Sequence, residues 1–270
     1  MKLVTVFFDL EGPFLWRDAP KFDMEKVVKN ISDVLGGFGI KAVFNTCGLV
    51  AERFPRSIAM LHDEGHEIAS HGYAHENFSK VPLPELDALL ARTERVFEHV
   101  FGEEPIGVRA PWLARSESIY DIYRKRKYRW TSNLNVPFWV TRSRVDFGSV
   151  SYPRWVMGKA VYKVRRLSHK EEPFKKDSLV EIPLVSPLDV YCIYPYPQVG
   201  GDSPESSLEE AYRILVSHYR SSKKFFNLNF HEHSIGTGNR LRLLERVLSF
   251  LSEQSDVSFI LASKLVSSIG

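Results

Sequence analysis

The sequence predicts an α/β fold built on a parallel sheet or barrel, because short apolar runs rich in β-branched residues alternate with helical patterns. The first run, at residues 4–8, ends in the acids Asp9 and Glu11. Later runs end next to His71 and at Arg109. In parallel α/β folds, functional sites lie at the carboxyl ends of the strands. The sequence therefore predicts a site at that edge of the sheet.

The elements up to residue 109 follow from periodicity and from breaks in it. Apolar residues at helical spacing predict a helix from Met24 to Leu35, which Gly36 and Gly37 are expected to end. The same criteria predict, in chain order, a strand at 42–45, a short helix at 55–62, a strand at 66–70, a helix at 84–100 and a strand at 106–109.

The remainder of the chain is less regular between residues 113 and 204. We expect a helix at 116–124, a basic amphipathic helix at 155–167 and a strand at 179–183. Clear periodicity then predicts a helix at 207–220, a strand at 225–230, a helix at 240–253, a strand at 257–261 and a short final helix. Neither a repeat nor a convincing linker divides the chain, so we expect a single domain over residues 1–270.

Composition favours a soluble protein with a large core, since 44% of the residues are hydrophobic and no apolar run is long enough to span a membrane. The apolar run at the N-terminus is too short for a signal peptide, which predicts a cytoplasmic location. Cys47 and Cys192 lack metal-binding or redox spacing. We expect two buried, reduced thiols, with one disulfide as the alternative.

Basic residues are concentrated in one segment. Residues 124–170 hold 13 Lys or Arg and a single acid, Asp146, which leaves 23 basic and 32 acidic residues elsewhere. The simpler interpretation is a solvated basic face with aromatic side chains packed on the barrel. The alternative is attraction of an anionic or lipid-linked substrate, with residues 155–167 on an anionic membrane surface. No nucleic-acid-binding motif is present, so no such partner is expected.

His71 and His75 form a candidate metal pair in the sequence SHGYAH. On a helical turn, spacing i, i+4 would place both imidazoles on one face. Two histidines and one carboxylate are a common ligand set for catalytic Zn²⁺. The alternative is a pair of surface histidines on a loop.

Two further groups lie at predicted strand ends. Arg109, placed beside Asp9, would keep that acid ionised and oriented; the alternative is an ordinary salt bridge. Trp112 could form the floor of a sugar-binding cleft; the alternative is a core tryptophan. His231 or His233 could serve as a general acid, since imidazole titrates near neutral pH. The pattern alone does not separate these two histidines, and His233 is also a candidate substrate-binding residue.

Taken in this order, the motifs resemble those of the polysaccharide deacetylase family, which is the NodB-homology domain or carbohydrate esterase family 4. FDLE at 8–11 resembles its first motif, in the variant with one residue between the acids. SHGYAH at 70–75 resembles its His-x-x-x-His metal motif, and VRAPW at 108–112 resembles its Arg-x-Pro motif. FH at 230–231 resembles its last motif, and EIP at 181–183 resembles a segment of members with spaced acids.

The resemblance implies a distorted (β/α)7 barrel, similar to a TIM barrel. It implies a hydrolase that removes an N-acetyl group from a sugar or glycan and releases acetate. In this scheme Asp9 is the general base, Arg109 positions it, and His231 is the general acid. The resemblance also implies a divalent metal, with Zn²⁺ first and Ni, Co or Fe as alternatives, bound by Glu11, His71 and His75.

The chain departs from the family pattern at three places. Glu11 stands where the family usually has Asp, Thr131-Ser132 stands where it has Asp-Ser, and Glu232 stands where proline follows the last histidine. Some relatives with spaced acids dispense with the metal. Two alternative functions therefore remain: a hydrolase of a small cyclic ureide or another C–N bond, with or without metal, and a decayed barrel that binds glycans.

Overall fold

The structure, a computed structural model, describes residues 1–13, 22–136, 170–193 and 202–269. Within these ranges, nine strands form one sheet in the order β6-β7-β5-β4-β3-β2-β1-β8, with β9 also paired to β1. The strands are β1 (Lys2–Leu10), β2 (Val43–Thr46), β3 (Glu67–Ser70), β4 (Gly107–Val108), β5 (Trp130–Thr131), β6 (Phe174–Lys176), β7 (Leu179–Glu181), β8 (Phe225–His231) and β9 (Val257–Phe259).

Helices follow most of the strands. They are α1 (Met24–Gly37), α2 (Gly48–Arg53), α3 (Pro55–Asp63), α4 (Leu83–Phe101), α5 (Glu117–Lys125), α6 (Asp189–Cys192), α7 (Glu205–Ser221), α8 (Glu232–Ile235), α9 (Leu241–Ser252) and α10 (Ala262–Ile269), with 3₁₀ turns at Pro111–Leu113 and Gly238–Arg240. The predicted α/β architecture is confirmed.

Strand β1 is the centre of the sheet. It pairs in parallel with β2 on one side and with β8 on the other, and its side chains are buried along almost its whole length. Phe7, Phe8 and Leu10 are fully buried. A strand buried on both faces must be apolar throughout, which is the pattern of a parallel sheet covered by helices.

The sheet curls into a partial barrel. All described strand pairs are parallel except β6–β7, which is antiparallel. An isolated parallel bridge between Leu188 and Asn229 draws the chain that follows β7 toward β8, at the opposite end of the strand order. The carboxyl ends of β1, β3, β4 and β8 therefore converge on one mouth.

The predicted helices and strands match the observed ones to within about two residues at each boundary, with the following differences. The four-residue helices α6 and α8 were not predicted. Helix α1 continues through Gly36 and Gly37 and ends at Phe38, and Gly39 then takes a left-handed conformation with φ of 65°. Helix α2 and the strands β5 and β6 escape prediction because each is six residues or shorter. The predicted helix at 155–167 lies outside the described residues.

Both cysteines are buried and no disulfide joins them, as predicted. Burial raises the pKa of the Cys47 thiol well above its ordinary value, and the charges of Glu11 and Glu232 act in the same direction. Among the described helices, none has the length and hydropathy that crossing a bilayer requires.

A buried histidine makes the stability of the fold depend on pH. His66 is 4% exposed, and its Nδ1 accepts the backbone N–H of Ala42 at 3.0 Å, which requires a neutral ring. Burial lowers the pKa of His66 to about 4, and the charge of Lys41 acts in the same direction. In the unfolded chain the ring titrates at about 6.5. Below that pH the unfolded state takes up a proton that the folded state does not.

We therefore expect the unfolding free energy contributed by this site to fall by about 2 kcal/mol between pH 7.5 and pH 5. Urea denaturation in EDTA at the two pH values measures this quantity. His66→Asn should lose that part of the pH dependence, whereas the control His62→Gln, at a partly exposed histidine, should keep it. An equal slope in wild type and His66→Asn would contradict the assignment.

Candidate active site

Asp9 lies at the carboxyl end of β1 and is 3% exposed. Its Oδ1 accepts hydrogen bonds from Arg109 Nη1 at 2.9 Å and from Asn45 Nδ2 at 2.6 Å. Its Oδ2 lies 3.9 Å from His231 Nε2. Burial opposes ionisation of Asp9, but the charges of Arg109, His71 and His231 together outweigh it, so the pKa lies below its ordinary value. Asp9 is thus an ionised carboxylate with one oxygen fixed and the other facing the mouth.

Arg109 lies next to Asp9, as predicted, and is completely buried. Its Nη2 donates to Ser132 Oγ and to Asn229 Oδ1, both at 3.0 Å, and its guanidinium carbon lies 4.4 Å from the centre of the Phe7 ring. Burial lowers the pKa of Arg109, an effect that the Asp9 carboxylate opposes. These contacts leave the guanidinium one orientation, and that orientation fixes Asp9.

Glu11, His71 and His75 form a candidate metal centre. One ligand atom from each lies within 4.8 Å of the other two. Glu11 Oε1 is 3.0 Å from His75 Nε2 and 3.8 Å from His71 Nε2. The second ring nitrogen of His71, Nδ1, lies 2.8 Å from the carbonyl oxygen of Arg109, which orients Nε2 toward the cluster. Two imidazoles and one carboxylate, with a neighbour fixing the ring, fit a divalent ion such as Zn²⁺.

The two histidines are brought together by a loop and not by the predicted helical turn. His71 follows the last residue of β3, and Gly72 and His75 have left-handed φ values of 75° and 59°. The Glu76 carboxylate closes the loop, since it accepts the backbone N–H groups of Tyr73 at 3.1 Å and Ala74 at 2.9 Å. The prediction was therefore wrong about the backbone conformation, although the two imidazoles do lie together.

His231 is the histidine that faces the site. It is the last residue of β8 and lies in register with Asp9 of β1. Its Nε2 points at Glu11 Oε1, 3.6 Å away. Its Nδ1 lies 2.8 Å from Asp189 Oδ1, and its backbone N–H donates to Asp189 Oδ2 at 2.8 Å. Burial would lower the pKa of His231, but the charges of Asp189, Glu11 and Asp9 raise it above its ordinary value.

The two remaining candidates, His233 and Trp112, differ in their exposure to solvent. His233 is 1% exposed in α8, with its Nδ1 3.7 Å from Glu232 Oε2, so the structure does not support its predicted contact with substrate. Trp112 is 68% exposed, with a left-handed φ of 59°, and its ring centre is 5.7 Å from that of His75. The interpretation of Trp112 as a core residue is therefore wrong, and its ring flanks the metal centre.

The sequence did not identify Asn45 and Asp189 as residues of the site, and it did not indicate the role of Glu232. Asn45 was visible only as a polar residue at the end of an apolar run. Asp189 is the acid that contacts the His231 ring, but it comes from an irregular stretch 42 residues upstream. Glu232 Oε1 accepts the backbone N–H groups of Glu11 and Gly12.

Arg124 and Arg126, in the described part of the basic segment, form ion pairs with acids of the fold. Arg124 pairs with Glu117, Asp121 and Asp177, while Arg126 pairs with Asp87 and Glu94. The side chains of Arg124 and Arg126 are only 19% and 17% exposed, whereas Lys125 and Lys127 are exposed, so the predicted solvated basic face holds for the two lysines and not for these two arginines. Residues 137–169 lie outside the described ranges, so the proposed membrane contact stays a prediction.

Comparison of the whole chain with solved structures shows which proteins share its fold. A Mycobacterium smegmatis protein assigned to the polysaccharide deacetylases superimposes with a TM-score of 0.74 and 20% identity, over 99% of this chain and 89% of the other. The PuuE allantoinase superimposes with a TM-score of 0.68 and 13% identity, over 98% and 89% of the two chains. At these identities the likeness shows the fold alone, a distorted barrel.

Sequence relatives match less than half of the chain. The peptidoglycan-N-acetylglucosamine deacetylase of Bacillus cereus is 34% identical over 124 residues, or 46% of this chain and 41% of its own length. The peptidoglycan deacetylase of Helicobacter pylori is 26% identical over 97 residues, or 36% of this chain and 33% of its own length. The chain thus spans well under half the length of these relatives. Residues 2–131 match the family described as polysaccharide deacetylase. That segment contains the motifs at 8–11, 70–75 and 108–112, so the match agrees with the resemblance that these motifs carry.

Proposed function

We propose that this protein is a divalent-metal-dependent hydrolase that removes the N-acetyl group from a sugar unit of a glycan. One observation carries the proposal: an ionised carboxylate, a histidine with a raised pKa and a three-donor metal cluster meet at one end of the barrel. Hydrolysis of an unactivated amide needs a base for water, an acid for the leaving amine and stabilisation of the oxyanion. These groups meet all three needs.

The metal would be held by Glu11, His71 and His75, with Zn²⁺ as the first choice. When bound, such an ion lowers the pKa of a coordinated water to about 7 and polarises a carbonyl oxygen. With three donors from protein side chains, a bound ion would keep coordination sites open for ligands from solution.

Asp9 is the base in this scheme. Its Oδ1 is engaged by Arg109 and Asn45, so Oδ2 is the oxygen that takes the proton from water. Arg109 also keeps the carboxylate ionised, because its charge lowers the pKa of Asp9. Both donors are buried, which holds the accepting lone pair in a constant direction.

His231 is the acid. Its Nε2 faces the cluster, and Asp189 holds its Nδ1, so a proton on Nε2 points toward the position of the leaving nitrogen. The charges around His231 keep that proton in place near neutral pH. The hydroxyl of water adds to the acetyl carbon and the C–N bond breaks. The amine then receives the proton from His231, and the products are acetate and a free amino sugar.

Two observations support a glycan substrate. Trp112 presents an exposed indole ring beside His75, and sugar rings stack on such surfaces. The Bacillus cereus relative is named for peptidoglycan N-acetylglucosamine, which makes an N-acetylglucosamine unit the first substrate to test. The cytoplasmic location and the single domain over 1–270 stay predictions.

Removing a ligand should abolish metal uptake. Purified protein is expected to bind one equivalent of Zn²⁺, and Glu11→Gln and His75→Ala should each weaken that binding by on the order of 100-fold or more. Titration calorimetry after EDTA treatment measures the affinity. His99→Gln, in the last turn of α4, is the control and should bind as wild type does. Absence of Zn²⁺, Ni²⁺, Co²⁺ and Fe²⁺ binding in wild type would overturn the metal-dependent mechanism.

Removing the base or the acid should abolish turnover without loss of the metal. Asp9→Asn and His231→Gln are each expected to lower kcat/KM for acetate release from N-acetylglucosamine oligomers by roughly 10²–10⁴-fold. Zn²⁺ affinity should change little, because neither residue belongs to the ligand set. Hydrolysis of a cyclic ureide together with no acetate release from any N-acetyl sugar would favour the alternative activity instead.

Asp189→Asn should lower kcat far more than it raises KM. The carboxylate holds the His231 ring at Nδ1 and accepts the His231 backbone N–H, so its loss misplaces the proton donor but leaves substrate contacts intact. We expect a fall in kcat of about 10²-fold or more. Steady-state kinetics measures the two constants separately, and an unchanged kcat would show that Asp189 has a purely structural role.

A further inference from the structure

Glu232 departs from the family pattern, and in the structure it is completely buried. Its Oε1 accepts two successive backbone N–H groups, from Glu11 at 3.0 Å and from Gly12 at 2.6 Å. Hydrogen bonds from N–H groups to an ionised carboxylate are roughly twice as strong as neutral ones. A pair of successive N–H groups is also a recurring way to hold an anion.

These two bonds hold a segment that lies beyond the end of its strand. Strand β1 ends at Leu10, and Gly12 turns the chain with a left-handed φ of 86°. Glu11 thus carries a candidate metal ligand on backbone that has just left the sheet. Its anchor comes from β8 and α8, which meet at the neighbouring strand end.

Glu232 itself is not among the three donors of the candidate centre. Its carboxylate binds the backbone of the ligand residue, so its influence on a cation passes through the position of Glu11. An acceptor oxygen placed elsewhere would release the two N–H groups and let the Glu11 carboxylate move relative to His71 and His75.

We infer that Glu232 is a positioning residue of the metal centre, and that cation affinity depends on where its carboxylate oxygen lies. This inference rests on the proposed metal-dependent function. It assigns a purpose to the one residue at which the last motif departs from the family pattern.

Two conservative variants separate the position of the oxygen from its charge. Glu232→Gln keeps an acceptor oxygen at the same reach but removes the charge, whereas Glu232→Asp keeps the charge but withdraws the oxygens by one methylene. We expect Zn²⁺ affinity to fall by about 10–100-fold in Glu232→Asp and by about threefold or less in Glu232→Gln. Competition calorimetry of the full chain measures both, and circular dichroism in EDTA shows whether each variant is folded.

Glu181 offers a matched control. It is 2% exposed, and its Oε1 accepts the successive backbone N–H groups of Asn133 and Leu134, both at 2.8 Å. That loop carries none of the three candidate ligands. Glu181→Asp and Glu181→Gln should therefore lower thermal stability, as the Glu232 variants do, but leave Zn²⁺ affinity unchanged.

Several outcomes would overturn the inference. Wild-type affinity in a folded Glu232→Asp would show that the anchor does not govern the cation. A large loss in Glu232→Gln would show that charge, not position, matters, and this variant decides the question even if Glu232→Asp does not fold. Equal losses in the Glu181 series would reveal a general stability effect. Absence of Zn²⁺ binding in wild type would remove the proposed metal dependence as well, whereas the other outcomes leave it standing.

Discussion

The buried ion pair between Arg109 and Asp9 is the interaction on which the rest of the site depends. Taking two charges out of water is costly, and a pair deprived of one partner loses roughly 3–5 kcal/mol. The fold meets this cost with further polar partners, because Ser132 and Asn229 accept from the guanidinium and Asn45 donates to the carboxylate. The neighbouring strands therefore carry buried polar side chains where an ordinary barrel would carry apolar ones.

The loops at the mouth are held by a second layer of carboxylates. Glu76 accepts two successive backbone N–H groups of the loop between His71 and His75. Glu232 accepts the backbone N–H groups of Glu11 and Gly12. Asp189 contacts both the ring and the backbone N–H of His231. Glu11 and His231 are thus each fixed by an acid from another segment, and the loop between His71 and His75 is fixed by the acid that follows it. A site built on loops gains in this way the rigidity that strands provide elsewhere.

The sequence predicted the elements that are encoded by a short, continuous stretch of residues, such as an apolar run or a motif. The apolar run that ends in Asp9 identified β1, and the motifs at Arg109 and His231 identified two more strand ends that face it. The failures arose where the structure depends on distant contacts. Asp189 and His231 are 42 residues apart in the chain, and no periodic pattern in the sequence predicts the contact between them. The left-handed backbone at His75 comes from loop packing, so the i, i+4 spacing suggested a helix that does not form.

The register between β1 and β8 places Asp9 directly beside His231, so the two groups that we propose to transfer protons belong to the hydrogen-bonded scaffold itself. A slip of one residue would turn every side chain of the strand to its opposite face. The cation donors and Trp112, by contrast, are carried on turns beyond the strand ends. Such turns accept insertions and substitutions far more readily than strands do. A laboratory search for altered specificity should therefore mutate the turn that carries Trp112 first, and leave β1, β8 and the three candidate metal donors unchanged.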